Sequence, residues 1–373
     1  MTLELEPAIE QVAQAAREHA VRVDAEASFP TATVDAAREV GLLGLLSDPS
    51  VGGHGGGIRE AATVVERVAR ECGSSAMVLT MHYAGTSVIE AHGEKATRRA
   101  IAEGRHLSTL AFSESGSRSH FWAPLGTARA EGDEVVLDAS KSWITSAAAA
   151  DGYVWSSRPT EGDGASSLWL VPSDSAGLKR SGGFDGLGLR GNDSAPVKAE
   201  GVRVPAANRL GSDGGGFDVM MQSVLPIFSV MISAGSLGTT EAALAATIEH
   251  VSGSKYAHLD GEALSAFPTI RAYVAQMKIK TDSARLLWLD AIDALENGRE
   301  DGMLRVLEVK AGTSETAREV LDTAMRVCGG QAFRKDVGVE RRFRDARAAM
   351  VMAPTSDQLY DFIGKALCGL ELF

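Results

Sequence analysis

The sequence predicts an α+β chain in three parts: an all-helical segment over residues 1–106, a central antiparallel β domain over 107–211, and a four-helix bundle over 212–373. Three observations predict it. Before residue 107, apolar residues recur at helical spacing, with Ala61, Val64, Val65, Val68 and Ala69 at i, i+3, i+4, i+7 and i+8. From 107 to 211 the texture changes to short runs rich in Val, Ile, Thr and Trp, punctuated by Gly, Asp and Ser. After Gly211 long helical periods return.

In chain order, the Ala-rich N-terminus and the stretch Glu94–Ala102 share the helical periodicity of residues 61–69. Gly52-Gly-His-Gly-Gly-Gly57 is a glycine loop; no strand precedes it, so it is not a dinucleotide fingerprint. In the β segment, Leu110–His120 and Val135–Ser146 flank Glu131-Gly-Asp133, which predicts a hairpin. Gly152–Trp155, Leu168–Val171 and Val197–Val204 are further strands, with Pro159, Pro172 and Pro205 at run ends, where a missing N–H costs least. Four helices are expected beyond: Asp218 to about Gly253, Thr269–Glu296, Gly302–Val327 and Thr355–Leu367. Their apolar stripes would bury against one another.

Composition narrows function. The chain has 373 residues, 45% of them hydrophobic, enough for a large core. A formal charge of −12 argues against nucleic acid or an anionic membrane as main partner. No basic-then-apolar leader and no run of 18 apolar residues is visible, so a cytoplasmic setting is expected. Cys72, Cys328 and Cys368 form no metal pattern and no even disulfide set; they read as small packing residues.

The hairpin region carries the chemistry. Its first run combines hydroxyls with Gly116, so backbone can approach a ligand closely; its second ends in Trp143-Ile-Thr145, an aromatic plate beside a hydroxyl. A flat ring with polar edges, such as a flavin, needs that pairing. The alternative is an ordinary hairpin with a core tryptophan.

Ser113-Glu114…Gly116…Ser119 followed by Lys141…Trp143-Ile-Thr145 resembles the flavin-binding β domain of the acyl-CoA dehydrogenase superfamily. Three further blocks resemble that family in the same order. They are Leu187–Asp193 with Val202–Pro205 and Leu210-Gly211, then Cys328-Gly-Gly330…Val339-Glu-Arg341…Arg344–Arg347, then Thr355-Ser-Asp357. The resemblance implies a barrel-like central domain, a dimer or tetramer formed through the bundle, and FAD as cofactor, with FMN or a diffusible reduced flavin as alternatives. The substrate it implies is a small molecule or acyl thioester on CoA or a carrier protein. The cofactor-binding residues it implies are Phe112, Ser113, Ser119, Trp143, Thr145, Arg326, Gly330, Thr355 and Asp357.

Against that pattern the chain departs at the base. The family removes the substrate α-proton with a glutamate just before a Gly-Thr pair; counted from Asp345, that position is Ala353, followed by Pro354 and Thr355. Some members carry the glutamate on the first bundle helix, where this chain has Phe228 and Ser229. The family's Arg toward a neighbouring subunit's FAD falls near Lys255, a point charge without the fork geometry. The Gln before the paired glycines is Arg326, and His120 follows Ser119 where Asp is usual. A neutral imidazole is competent near pH 7, so His120 and His82 are the candidate replacement bases. Each is alternatively a hydrogen-bonded residue without a catalytic part. Asp357 is a weaker candidate, and Glu114 reads as structural. The cluster Arg341-Arg-Phe-Arg-Asp-Ala-Arg347 reads as an ion-pair network at the bundle end rather than a phosphate site. Three activities follow: dehydrogenation of a small acyl thioester with a displaced base, a reduced-flavin monooxygenase using O2, or a partner without turnover.

Overall fold

A computed structural model describes residues 3–117, 120–257 and 260–372. The N-terminal part is helical: α1 (Leu5–Ala25), α2 (Thr31–Glu39), α3 (Ile58–Glu71), α4 (Gly73–His92) and α5 (Lys95–Ala102). The face read from sequence on α3 is the buried one, and Ala61, Val64, Val65 and Val68 are fully enclosed. Most of α4 is buried on all sides, which places it between the other helices and the β domain.

Seven strands follow: β1 (Ser108–Ala111), β2 (Thr127–Glu131), β3 (Glu134–Ile144), β4 (Gly152–Ser157), β5 (Ser167–Pro172), β6 (Leu178–Arg180) and β7 (Ala195–Pro205). They form a three-stranded sheet in the order β1-β4-β5 and a four-stranded sheet in the order β2-β3-β7-β6. One expectation is corrected here. The domain is two packed sheets without a closed barrel, and it is not wholly antiparallel, because β1 runs parallel to β4. The hairpin does turn at Gly132-Asp133, with Gly132 in the left-handed region, but its first arm is β2. The Leu110–His120 run pairs elsewhere: β1 joins the other sheet, and Glu114 meets β3 through a single bridge at Lys141. Trp155 and Trp169 face each other across β4 and β5, fully buried.

The C-terminal part holds α6 (Gly216–Val219), a wide π turn (Met220–Val224), α7 (Leu225–Gly253), α8 (Pro268–Glu296), α9 (Gly302–Cys328), α10 (Val339–Val351) and α11 (Ser356–Leu367). The hydrogen-bond ladder widens just ahead of Pro226, which has no N–H to give. The run Gly216–Gly253 is long and apolar enough to cross a bilayer, yet most of it is buried in the bundle, as a core helix would be. The expected four long helices are present, and α10 makes a fifth. Its charges pair with neighbouring elements and with each other: Arg344 grips Asp24 of α1 at 2.6 Å and Glu340, one turn back on α10, at 2.8 Å, and Arg347 reaches Asp322 of α9 at 2.5 Å. Arg341 and Arg342 donate to the carbonyls of Glu71 and Arg70 at the end of α3.

Candidate active site

The two sheets, α4, α7 and the link from α10 to α11 enclose a cavity of about 1000 Å³. That is the upper end of the range of ligand pockets, about 300–1,000 Å³. One wall is polar and comes from the β domain: Ser113, Ser115, Ser117, Ser142, Trp143 and Thr145. The opposite, helical side is apolar, with Met77 and Met81 of α4, Val224 of the π turn, Leu225 and Phe228 of α7, and Val351–Ala353 at and just past the end of α10. Leu110, Phe112 and Phe121 continue the apolar lining from the strand side, and the Phe112 and Phe121 rings lie nearly parallel at 6.4 Å.

Local backbone geometry is unusual around this cavity. Six described non-glycine residues have left-handed φ, and four of them line it: Ala27, Trp143, Leu189 and Asp193. Such conformations cost about 1–3 kcal/mol each and gather where a surface must be shaped for a ligand. Trp143 owes its position to one of them. The β3–β7 register slips between Lys141 and Ile144, and Trp143 at φ +55° is turned out of the sheet, 63% exposed. Its indole stacks on Phe184 at 3.9 Å between ring centres. A buried ion pair fixes the adjoining wall. Lys141 Nζ donates to Glu114 Oε1 at 2.6 Å and to Ser156 O at 2.7 Å; Glu114 Oε2 accepts from the N–H groups of Leu125 and Gly126. Burial pushes the Lys141 ammonium down to about 8, against the pull of Glu114.

Every carboxylate in the described lining is already engaged. Glu114 is held as above, Asp185 pairs with Arg190 at 2.7 Å, and Asp193 accepts from the N–H groups of Ala148 and Ala149 at 2.7 and 3.1 Å. Ala353 and Phe228, the two positions identified from sequence as vacated glutamates, both face the cavity. The structure brings neither candidate imidazole to it. His82 is fully buried between α4 and β1, where Nε2 donates to Leu43 O at 2.8 Å and Nδ1 accepts from Ser108 N at 3.1 Å. Burial pushes it down to about 4. Both its nitrogens are occupied, so its part is to join the N-terminal loop to the first strand. His120 is exposed, donates from Nδ1 to Ser117 O at 3.1 Å, and sets its edge against Trp122.

Of the other residues singled out from sequence, Phe112, Ser113, Trp143 and Thr145 meet in the cavity wall. Ser119 lies outside the described residues. Thr355 caps α11, and Asp357 is exposed in that helix's first turn; neither lines the cavity. Arg326 and Gly330 are exposed at the far end of α9, Arg326 lying over the Tyr273 ring. Lys255 is also exposed, in a short bridge to Ala263. Sequence reasoning missed Phe184, which sits in a glycine-rich stretch without periodicity, and the engagement of Glu114 with Lys141.

The residues present fit a flavin. A tricyclic ring needs a flat apolar face, edge donors and room, and Trp143, the serines with Thr145, and the cavity volume supply these.

Three family models match the chain in order: the acyl-CoA dehydrogenase N-terminal domain over 4–104, the middle domain over 109–202 and the C-terminal domain over 214–368. The probable acyl-CoA dehydrogenase YngJ of Bacillus subtilis is 30% identical over 347 residues, 91% of this chain and 90% of that one. The human mitochondrial short-chain specific acyl-CoA dehydrogenase is 30% identical over 91% of this chain and 82% of its own length. Butyryl-CoA dehydrogenase from Megasphaera elsdenii superposes with a TM-score of 0.90 over 98% of both chains at 22% identity, a likeness of fold.

Proposed function

The chain belongs to the acyl-CoA dehydrogenase family of FAD-dependent oxidoreductases, and from that premise we propose that it oxidises a small acyl thioester whose α-proton is not taken by a carboxylate of the cavity wall. When bound, FAD supplies the acceptor for the substrate's hydride. The chain's own residues do the remaining work. Trp143 offers a stacking face, and Ser113 and Thr145 offer hydroxyls to the ring edge. Met77, Met81, Phe112 and Phe228 shield the acyl carbons on the apolar side.

One observation carries the reading: Ala353 and Phe228 line the cavity, and every carboxylate in its described wall is engaged. A positioned base contributes about 10²–10⁴-fold. Without one, the suitable substrate is a thioester whose α-C–H is already acidified by a second electron-withdrawing group, its proton passing to a water on the serine-lined side of the cavity as the hydride leaves. The acyl carrier is CoA or a carrier protein. The protein is read as a cytoplasmic homodimer or homotetramer, with the exposed Arg326 and Gly330 turned toward a neighbour's flavin.

The test is an absorbance spectrum of the purified protein followed by anaerobic titration. A yellow protein bleached by an α-activated thioester, and not by butanoyl-CoA, is expected; no bleaching by either would overturn the reading. The bare wall also favours a second one, a monooxygenase drawing on reduced flavin and O2, which needs no α-proton base. That protein would bleach with neither thioester, and with a flavin reductase, NADH and O2 would yield a product one oxygen atom heavier.

A further inference from the structure

Lys310 sits in the middle of α9 with no exposed surface. A charge taken into a protein core costs several kcal/mol unless it is well solvated there. No carboxylate answers this one among the described residues. Its Nζ instead donates to three backbone carbonyls: Pro354 O at 2.7 Å, Met352 O at 3.0 Å and Ala349 O at 3.4 Å. All three belong to the end of α10 and the link to α11, and Ala349 O is among the carbonyls that a helix terminus leaves without a partner. The link is held at its far end as well, where Thr355 accepts from Gln358 N and caps α11. In this link lie Val351, Met352 and Ala353, which form part of the helical side of the cavity. Met352 also borders a second, small pocket of about 40 Å³ and packs against Met77, Leu189 and Ile232. A methionine would fill the space of Lys310 but leave three converging carbonyls without donors.

We propose that Lys310 is the positioning residue for the acyl-binding wall: by gathering the carbonyls of Ala349, Met352 and Pro354, it fixes how far Met352 and Ala353 reach into the cavity. The flavin-facing residues, on β3 and the Ser113–Ser117 segment, do not depend on it. The inference rests on the acyl reading of the cavity given above, and it separates two functions of one site, acyl recognition and flavin binding.

The experiment compares wild type with Lys310→Met and Lys310→Gln, the second restoring donors without charge. Three quantities are measured: hydrogen exchange across residues 349–355, FAD affinity of the apoprotein by fluorescence quenching, and the dissociation constant of butanoyl-CoA from the change in flavin absorbance. In Lys310→Met, exchange is expected to rise at least tenfold in that segment alone. Butanoyl-CoA is expected to bind at least tenfold more weakly, with FAD affinity within twofold of wild type. Lys310→Gln should fall between the two. Unchanged exchange at 349–355 overturns the proposal, as does loosening that spreads equally through α9, α11 and the flavin site. Should Lys310→Met fail to fold, Lys310→Gln carries the same comparison. Should wild type bind neither butanoyl-CoA nor the α-activated thioester, the acyl reading loses its support, and the exchange measurement alone decides the part played by Lys310.

Discussion

Ala353 and His82 show what single residues decide in this protein. The register counted from Asp345 put Ala353 at the place of the missing base, and the cavity wall includes it. Ala353→Glu is therefore expected to let butanoyl-CoA bleach the flavin anaerobically, about 10²–10⁴-fold faster than any residual wild-type rate, the usual worth of a placed base. A stopped-flow rate no faster than wild type would show that proton removal does not limit the reaction. His82 has a different consequence. Its pKa in the fold is about 4, against an ordinary 6.5. The folded chain thus binds fewer protons than the unfolded one between those values. The resulting stability, about 3 kcal/mol from 1.36 kcal/mol per unit, is present above pH 6.5 and is lost as pH falls toward 4. Urea unfolding at pH 7.5 and pH 4.5 should show a smaller acid loss in His82→Gln than in wild type. An equal loss in both would assign the acid limb to other groups. The sequence could not show that His82 points into the core. Most of α4 is buried around its whole circumference, so its pattern has no polar side from which to read a face.

At the scale of elements, the readable features were those written in local periodicity. The apolar stripe of α3, the turn at Gly132 and the long bundle helices are all local signals. The parallel pairing of β1 with β4 joins Ser108 to Gly152, and a strand of four residues carries no local mark of so distant a partner. Helix α10 has no apolar stripe to set its bounds, but its run of charges reads as an ion-pair network, and Arg344 and Arg347 are indeed paired with α1 and α9. The contact of Lys141 with Glu114 shows what such long-range contacts do. It ties the Ser113–Ser117 segment to the strand that carries Trp143 and leads into Thr145, so both halves of the polar wall move together. Lys141→Met would leave Glu114 buried and uncompensated, at a cost of about 3–5 kcal/mol in urea unfolding. Replacing both, Lys141→Met with Glu114→Leu, should recover most of that stability, since a well-packed apolar pair often equals a buried ion pair. FAD affinity should nevertheless stay low in the double variant, because Glu114 Oε2 no longer holds the N–H groups of Leu125 and Gly126. Full recovery of FAD binding would mean that the wall needs only bulk there.

Across the whole molecule, the proposed boundaries at residues 106 and 211 divide the sequence by texture but do not divide the core. One hydrophobic cluster runs from Ile9, Val12 and Leu42 through Val64, Val65 and Val68 to Val230, Met231 and Leu237 of α7, and on to Trp288 of α8 and Val309 of α9. At its border, the buried Glu66 of α3 holds Arg285 of α8 at 2.7 Å and Arg70 at 2.8 Å, and Asp24 of α1 holds Arg344 of α10. The β segment differs: Val135, Leu137, Trp155, Trp169, Val197 and Val204 enclose a cluster drawn from its own strands and loops. A fragment of residues 1–106 should consequently not fold alone. It would expose the α3 face that packs on α7, at about 1.5–3 kcal/mol for each Val or Leu side chain left in water, against a typical net stability of about 5–15 kcal/mol for a whole domain. Mixed with a fragment of residues 212–373, it should gain helical circular dichroism beyond the sum of the two separate spectra, with one shared melting transition. A cooperative melt of fragment 1–106 by itself would show that the helical parts are independent. The cavity between α4, α7 and the strands would then owe its shape to docking rather than to a common core.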